Sequence, residues 1–307
     1  MIGAGHWGRN YIKTIAALDS VRLARLASRN PESAQLVSAG CAISADWRQL
    51  IEAGDLDGII IAAPPSLHGE MTGAAIAAGV PVLVEKPFTL GLTEAVALRD
   101  MAHARNALVM VDHTHLFHPA FEELKRQVTR LGTLNVIDAE AGNHGPYRED
   151  VPVLWDWGPH DVAMCLDLLR VSPREVRASR VAHQKVGNAE AETLRLELTF
   201  ETGLRARIRI SNMIDKTRRF AVHCEKGVLV YDALAQDQLV LYKDTPADTP
   251  PLQKGTPFSV SPEPPLQRVV QAFIAAIAMK EDRRLSLDLA VEVVAVLERC
   301  EKSLAAN

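Results

Sequence analysis

Only four cysteines occur in the chain, Cys41, Cys165, Cys224 and Cys300, each standing alone. Without paired spacing they exclude a disulfide scaffold and the usual zinc or redox pairs, and they read as reduced, mostly buried thiols of a cytosolic protein. Neither sign of charge is in excess. Lys and Arg number 34 against 38 Asp and Glu, a formal net charge of -4, which leaves no electrostatic footprint for nucleic acid or an anionic membrane. No apolar run is long enough to span a bilayer, and no basic segment followed by an apolar one opens the chain. The expectation is therefore a cytoplasmic protein with no signal peptide. Internal repeats are absent. His6, His113, His115, His118 and His144 fall into no metal-ligand spacing, so no metal is expected. What remains is the composition of an ordinary globular chain, 48% hydrophobic and 23% charged over 307 residues, long enough for about two domains.

The most informative stretch is Pro81-Val82-Leu83-Val84-Glu85-Lys86-Pro87. Residues 80–84 read as a strand buried on both faces inside a parallel sheet. Pro87 cannot continue a ladder and biases Lys86 towards extended geometry, so the strand stops there. Ligands of open α/β sheets sit beyond the carboxyl ends of the strands, which aims the Lys86 cation at a ligand crevice. Gly3-Ala4-Gly5-His6-Trp7-Gly8 has the G-x-G-x-x-G spacing: a tight turn, a close approach to a pyrophosphate, and close helix–strand packing, with a helical pattern running on to Leu18. Only Met1 and Ile2 precede it, where a strand of about five or six residues is expected. Either the chain starts late relative to its natural product or the first strand is unusually short. After a second strand at 21–27, no acid stands where Asp or Glu would hold the ribose 2′-hydroxyl of NAD. Ser28 and Arg29 stand there and suit a 2′-phosphate, so the cofactor is NADP or NAD, with NADP preferred. Helices at 31–39 and 46–53, a strand at 57–62, a helix to Ala78, a helix at 92–104 and a strand at 108–111 complete a doubly wound parallel set. This is a Rossmann dinucleotide-binding domain over residues 1–112.

Gly3-x-Gly5-x-x-Gly8, Pro64-x-x-x-His68 and Glu85-Lys86-Pro87, in this order and spacing, resemble the Gfo/Idh/MocA family. These are NAD(P)-dependent oxidoreductases that act mostly on sugars, cyclitols and nucleotide-linked sugars. The resemblance covers nearly the whole chain. It implies an α/β protein in which a Rossmann domain precedes an α/β domain with a large, open, mainly antiparallel sheet. It also implies that Lys86 lies beside the substrate hydroxyl and nicotinamide. Pro64, His68, Glu85 and Pro87 would line the cofactor side, together with His6 and Trp7 of the glycine loop.

Residues 113–307 read as a substrate-binding and oligomerisation domain. A helix runs to about 131, and strand-like runs follow at 135–141, 175–182, 193–200, 204–211, 220–224, 228–231 and 239–242, with a meander as the natural topology. Residues 244–265 carry seven prolines and read as a surface loop, a candidate lid. Helices at 267–279 and 287–304 close the chain, the last expected to pack back on the first domain. Trp155-Asp156-Trp157-Gly158-Pro159-His160-Asp161 opens a helix through Leu169, with Asp156 as its N-cap and Pro159 in its first turn. His160 then lies one turn beyond Asp156 on the same side, where a carboxylate can fix the imidazole tautomer and orient a general base. The family's Asp-x-x-x-His motif falls on this pair. The resemblance thus implies His160 as base, Asp156 as its orienter and Lys86 as the charge that stabilises the reacting oxygen. The expected activity is hydride transfer between nicotinamide and a ring hydroxyl or ketone of a sugar, with a nucleotide-linked sugar preferred over a related pyranose or cyclitol. The alternatives are an NAD-dependent glycosidase using transient oxidation, or a non-catalytic cofactor-sensing regulator. His113, Tyr147, Arg148 and Trp155 are the candidate substrate contacts, the aromatic faces stacking on a sugar and Arg148 pairing with a phosphate or carboxylate. The alternative places Trp155 and Trp157 in the core and Arg148 in solvent. A homodimer or homotetramer is expected, because an open sheet needs both faces covered unless one is polar.

Overall fold

The computed structural model describes residues 1–243, 254–279 and 284–306. In chain order the elements are α1 (His6–Ala16), β1 (Arg25–Ala27), β2 (Ala42–Ser44), α2 (Arg48–Glu52), β3 (Ile59–Ile61), α3 (His68–Ala77), β4 (Val82–Glu85), α4 (Leu92–Arg105), β5 (Val109–Asp112) and α5 (Pro119–Val128). Then follow β6 (Leu134–His144), α6 (Val153–Leu169), β7 (Glu175–Val186), β8 (Ala189–Thr199), β9 (Arg205–Ser211), β10 (Met213–Cys224), β11 (Gly227–Asp232), β12 (Leu239–Lys243), β13 (Thr256–Pro257), α7 (Pro265–Met279) and α8 (Arg284–Ala305). The chain divides into two compact units, Met1–Thr114 with Pro264–Val294, and His115–Glu263 with Ala295–Asn307.

The first unit is built on a parallel sheet whose inner strands are apolar from end to end. Ile59–Ile61 are all isoleucine, and β4 and β5 are buried along their whole length, as strands covered on both faces must be. β3, β4 and β5 pair in parallel, as do β1 and β2. The gap between the two sets is filled by the first three residues. Ile2 bridges both Ala27 and Ile61, its N–H donates to the Ile60 carbonyl at 2.8 Å, and Gly3 N–H donates to Ala27 O at 2.9 Å. The sheet therefore runs β2-β1-(residues 1–3)-β3-β4-β5. Three readings shift. The second strand begins only at Arg25, residues 31–36 form a 3-10 turn, and β2 is additional. β2 is three residues long and mostly exposed, so it carried no apolar signature.

In the second unit an eight-stranded sheet has the order β13-β12-β11-β10-β6-β9-β8-β7. Every neighbouring pair is antiparallel except β6 with β9. The simple meander is thus corrected: β6 inserts between β9 and β10, and Asn212 alone carries the chain from one side of it to the other. The crossing is tight. A Cβ on Gly142 of β6 would meet Ser211 O at 2.5 Å and Ile214 Cγ1 at 2.6 Å, so only glycine lets the backbones pass. α6 packs on the inner face, against β6, β8 and β9, where Leu194, Leu196, Leu198, Ile208 and Ile210 are fully buried. The outer face is charged. There Arg207 of β9 pairs with Asp138 of β6, and Arg209 with Glu140. Of the proline-rich stretch, residues 244–253 lie outside the described residues; Thr256 and Pro257 form β13, and Pro265 already opens α7. Among the described residues no helix is long and apolar enough to cross a membrane.

Candidate active site

The carboxyl ends of the first unit's strands carry three loops. Gly5 is the N-cap of α1, with no side chain capping the helix, so the first-turn amides are presented outward. The three glycines are under different constraints. Gly3 has φ +94°, and a Cβ there would lie 2.4 Å from Ala62 O; a Cβ on Gly8 would lie 2.5 Å from Gly3 O. Gly5 has ordinary extended backbone, and its Cβ would meet nothing within 4 Å. Two glycines therefore serve the turn, and the third leaves open space at a helix N-terminus. That cradle, bare of side chain and rich in N–H donors, fits a dinucleotide pyrophosphate. His6 and Trp7 follow it and are exposed. Ser28 and Arg29 leave the end of β1; Ser28 Oγ is engaged with Ser33 Oγ at 2.7 Å, while Arg29 is exposed.

The Pro64 and Pro87 loops are tied together by a side chain. His68 is wholly buried at the start of α3, with Nδ1 2.8 Å from Pro87 O and Nε2 2.9 Å from Ala63 O. It ties the two loops to each other from within the fold. Pro64 is exposed, Pro87 is buried, and the Lys86–Pro87 peptide is cis. Glu85 is 6% exposed and stands in register with Asp112 at the end of the neighbouring strand. Asp112 accepts from the Tyr11 hydroxyl, and from Thr114 Oγ1 at 2.8 Å. Burial, then the adjacent Asp112, push Glu85 well above the usual carboxylate range; burial raises Asp112 too. Each carboxyl thus disfavours ionisation of the other. Lys86 itself is half-buried. His113 is buried with neither ring nitrogen hydrogen-bonded, and burial, then the Lys86 charge, bring it down to about 4. It is a neutral wall and not an open substrate contact.

In the second unit, α6 starts three residues before the expected cap. Its N-cap is Pro152, so Asp156 stands inside the first turn and Pro159 in the helix interior. Asp156 is half-buried and accepts from Arg148 Nη1 at 3.3 Å, while Arg148 also clasps Asp150. Arg148 is therefore occupied by two carboxylates instead of standing ready for a substrate anion. Trp155 is 2% exposed and donates Nε1–H to Glu301 at 3.1 Å; Trp157 is buried with the Arg218 guanidinium 3.9 Å over its ring. Neither tryptophan offers a free face, and both belong to the core. Tyr147 is 38% exposed, beside Gly145 with φ +63°. His160 is half-buried one helical turn past Asp156, on the same face. The His115 ring meets it edge-on, centroids 5.0 Å apart, and His115 Nδ1 lies 3.0 Å from the Tyr231 hydroxyl. His118, by contrast, caps α5 by accepting from Ala120 N–H.

The groups missed from sequence are Tyr11 and Asp112 in the first unit and His115, Asp161, Arg218 and Tyr231 in the second. Asp112 had a signal, since β5 ends in an acid in register with Glu85. Asp161 directly follows His160. Arg218 and Tyr231 had none, because their meeting with α6 depends on the β6 crossover.

A parallel sheet whose first turn cradles a pyrophosphate, followed by an open mixed sheet bearing a histidine helix, defines a two-part NAD(P)-binding oxidoreductase. The profile of an oxidoreductase family with an NAD-binding Rossmann fold matches residues 1–113, and that of the GFO/IDH/MocA C-terminal domain matches residues 125–230. The chain belongs to the Gfo/Idh/MocA family of oxidoreductases. A solved candidate oxidoreductase from Magnetospirillum magnetotacticum is 46% identical, covers 97% of each chain and superposes with a TM-score of 0.93. The structure of UDP-N-acetylglucosamine 3-dehydrogenase from Acidithiobacillus ferrooxidans superposes with a TM-score of 0.83 at 26% identity, over 99% of this chain and 96% of that one. In sequence, the protein of that name and species is 33% identical over 183 residues, 59% of this chain and 57% of its own length. An inositol 2-dehydrogenase of Saccharopolyspora erythraea is 31% identical over 131 residues, 41% of this chain and 39% of its own length. The chain thus spans less than two thirds of these two curated relatives in sequence alignment.

Proposed function

We propose that the protein transfers a hydride between NAD(P) and a ring hydroxyl or ketone of a sugar, and that a nucleotide-linked sugar is preferred over a free pyranose or cyclitol. The observation that carries the reading is the placement of Lys86 and the Gly3–Gly8 cradle at the carboxyl edge of one parallel sheet. The preference for a nucleotide sugar is supported by the likeness to the Acidithiobacillus enzyme, over nearly the full length in structure.

Gly3, Gly5 and Gly8, with the first-turn amides of α1, would hold the pyrophosphate. Ser28 and Arg29 would meet the adenosine ribose, where a guanidinium favours the 2′-phosphate of NADP. When bound, the dinucleotide supplies the hydride acceptor or donor. Lys86 places a positive charge on the substrate oxygen as it becomes an alkoxide or carbonyl, an electrostatic effect that usually outweighs proton transfer. His160 takes the hydroxyl proton in the oxidative direction and returns it in reduction. Asp156, held by Arg148, fixes the imidazole. Comparison of kcat/KM for UDP-N-acetylglucosamine, free glucose and myo-inositol, each with NAD and NADP, tests substrate and cofactor together. Equal turnover of a free sugar or inositol would remove the nucleotide-sugar preference.

A further inference from the structure

The second unit contains a buried carboxyl that the chemistry above leaves unused. Asp161 is 5% exposed, and its Oδ2 has no hydrogen-bond partner. It faces a cavity of about 10 Å³ lined also by His115, His160, Arg218 and Tyr231. An unpartnered buried carboxylate is costly, on the order of several kcal/mol. A volume near 10 Å³ with several polar walls suits one water molecule. His160, the base assigned above, lies on the wall of the same cavity.

We propose that Asp161 is a positioning and proton-holding residue behind His160, exchanging a proton with it through one water seated in this cavity. The inference rests on the reading of His160 as the general base. After His160 has taken a substrate hydroxyl proton, its N–H bond breaks towards the water, and the water passes a proton to the Asp161 carboxylate, forming its O–H bond. Neutral imidazole and a neutral carboxylic acid result, so charge and protons balance without any co-reactant.

The surroundings suit the exchange. Burial pushes Asp161 up to about 7, with the Arg218 charge opposing. A carboxyl held in that range can take up and release a proton near neutral pH. Arg218 and Arg219 face the cavity from β10, Tyr231 from β11, and His115 from the turn before α5. Burial, then the Asp161 charge, hold the Tyr231 hydroxyl well above its usual range, so it stays neutral and can orient the water. Cys165, one turn along α6, is likewise held neutral by burial and by Asp161.

The test is Asp161→Asn, which keeps the shape and removes the proton acceptor, set beside His160→Asn. In pH-difference infrared spectra, wild type should show a protonated-carboxyl band that titrates near neutral pH and that Asp161→Asn lacks. The variant's kcat should fall about 10- to 100-fold, as when a group acting through another is removed. Its pH profile should lose one ionisation, while dinucleotide affinity holds. An unmoved profile and an unchanged carboxyl band overturn the role of Asp161 even if His160→Asn is inactive. His160→Asn turning over at the wild-type rate overturns the parent reading instead. If Asp161→Asn does not fold, Tyr231→Phe must shift the carboxyl band, and an unshifted band rejects the shared cavity water.

Discussion

Gly5→Ala separates cofactor binding from folding, because the three glycines of the cradle are constrained differently. At Gly5 the backbone is at φ −66° and ψ −167°, which alanine adopts freely, and its Cβ would meet nothing within 4 Å. The fold should therefore keep or slightly gain stability, by about 0.4–1 kcal/mol from the stiffer unfolded chain. The same methyl enters the open space over the α1 N-terminus and blocks the approach of phosphate to the amides. Losing one charge-assisted hydrogen bond costs about 1.5–3 kcal/mol, which is roughly a 10- to 150-fold rise in dinucleotide Kd. Gly8→Ala behaves in the opposite way. Its Cβ would press on Gly3 O at 2.5 Å, and strain of this kind costs about 1–3 kcal/mol of stability. Thermal melts and nicotinamide fluorescence titrations of both variants measure the two effects. Wild-type affinity in Gly5→Ala, or a melt as depressed as that of Gly8→Ala, would refute the reasoning.

Lys86→Met should leave dinucleotide Kd within several-fold and lower kcat by about 100- to 1,000-fold, because the charge acts on the reacting oxygen; steady-state kinetics beside binding titrations check the split. Arg29→Ala should raise Kd for NADP more than for NAD, and an equal effect on both would make Arg29 a surface residue only. Asp161 also predicts a pH-dependent stability. Burial raises its carboxyl from the ordinary range to about 7, so its favourable contribution is full below the unfolded value and is lost as pH rises through about 7. Asp161→Asn should therefore gain in Tm relative to wild type across that window, and denaturation curves at several pH values show whether the gain exists.

The first unit was legible because its strands are buried on both faces and its turns carry glycine or proline. Continuous apolar runs at 59–61, 82–84 and 109–111 leave little alternative to a parallel sheet. β10 was only half legible. Asp215, Lys216, Thr217, Arg218 and Arg219 hide its first part, and with it the β6 crossover that brings Arg218 onto Trp157. The start of α6 was misplaced because Asp156 has the chemistry of a cap, whereas Pro152 in extended backbone performs the task. Trp155 and Trp157 read equally well as sugar platforms or as core, and partners distant in sequence decide the matter: Glu301 for one and Arg218 for the other. Glu85 and His68 sit at motif positions, and both are buried. Motif spacing locates such residues without saying which way they face.

The central claim is net hydride transfer to or from a sugar ring, and the nicotinamide absorbance band tests it most directly. Purified protein is incubated with NAD or NADP and a panel of nucleotide sugars, free hexoses and inositols, while the reduced-cofactor band is followed to completion. The account predicts that the band grows in proportion to substrate consumed, fastest with a nucleotide sugar, and that Lys86→Met slows the growth about 100- to 1,000-fold. Substrate consumed by hydrolysis with no net change in the band would contradict it.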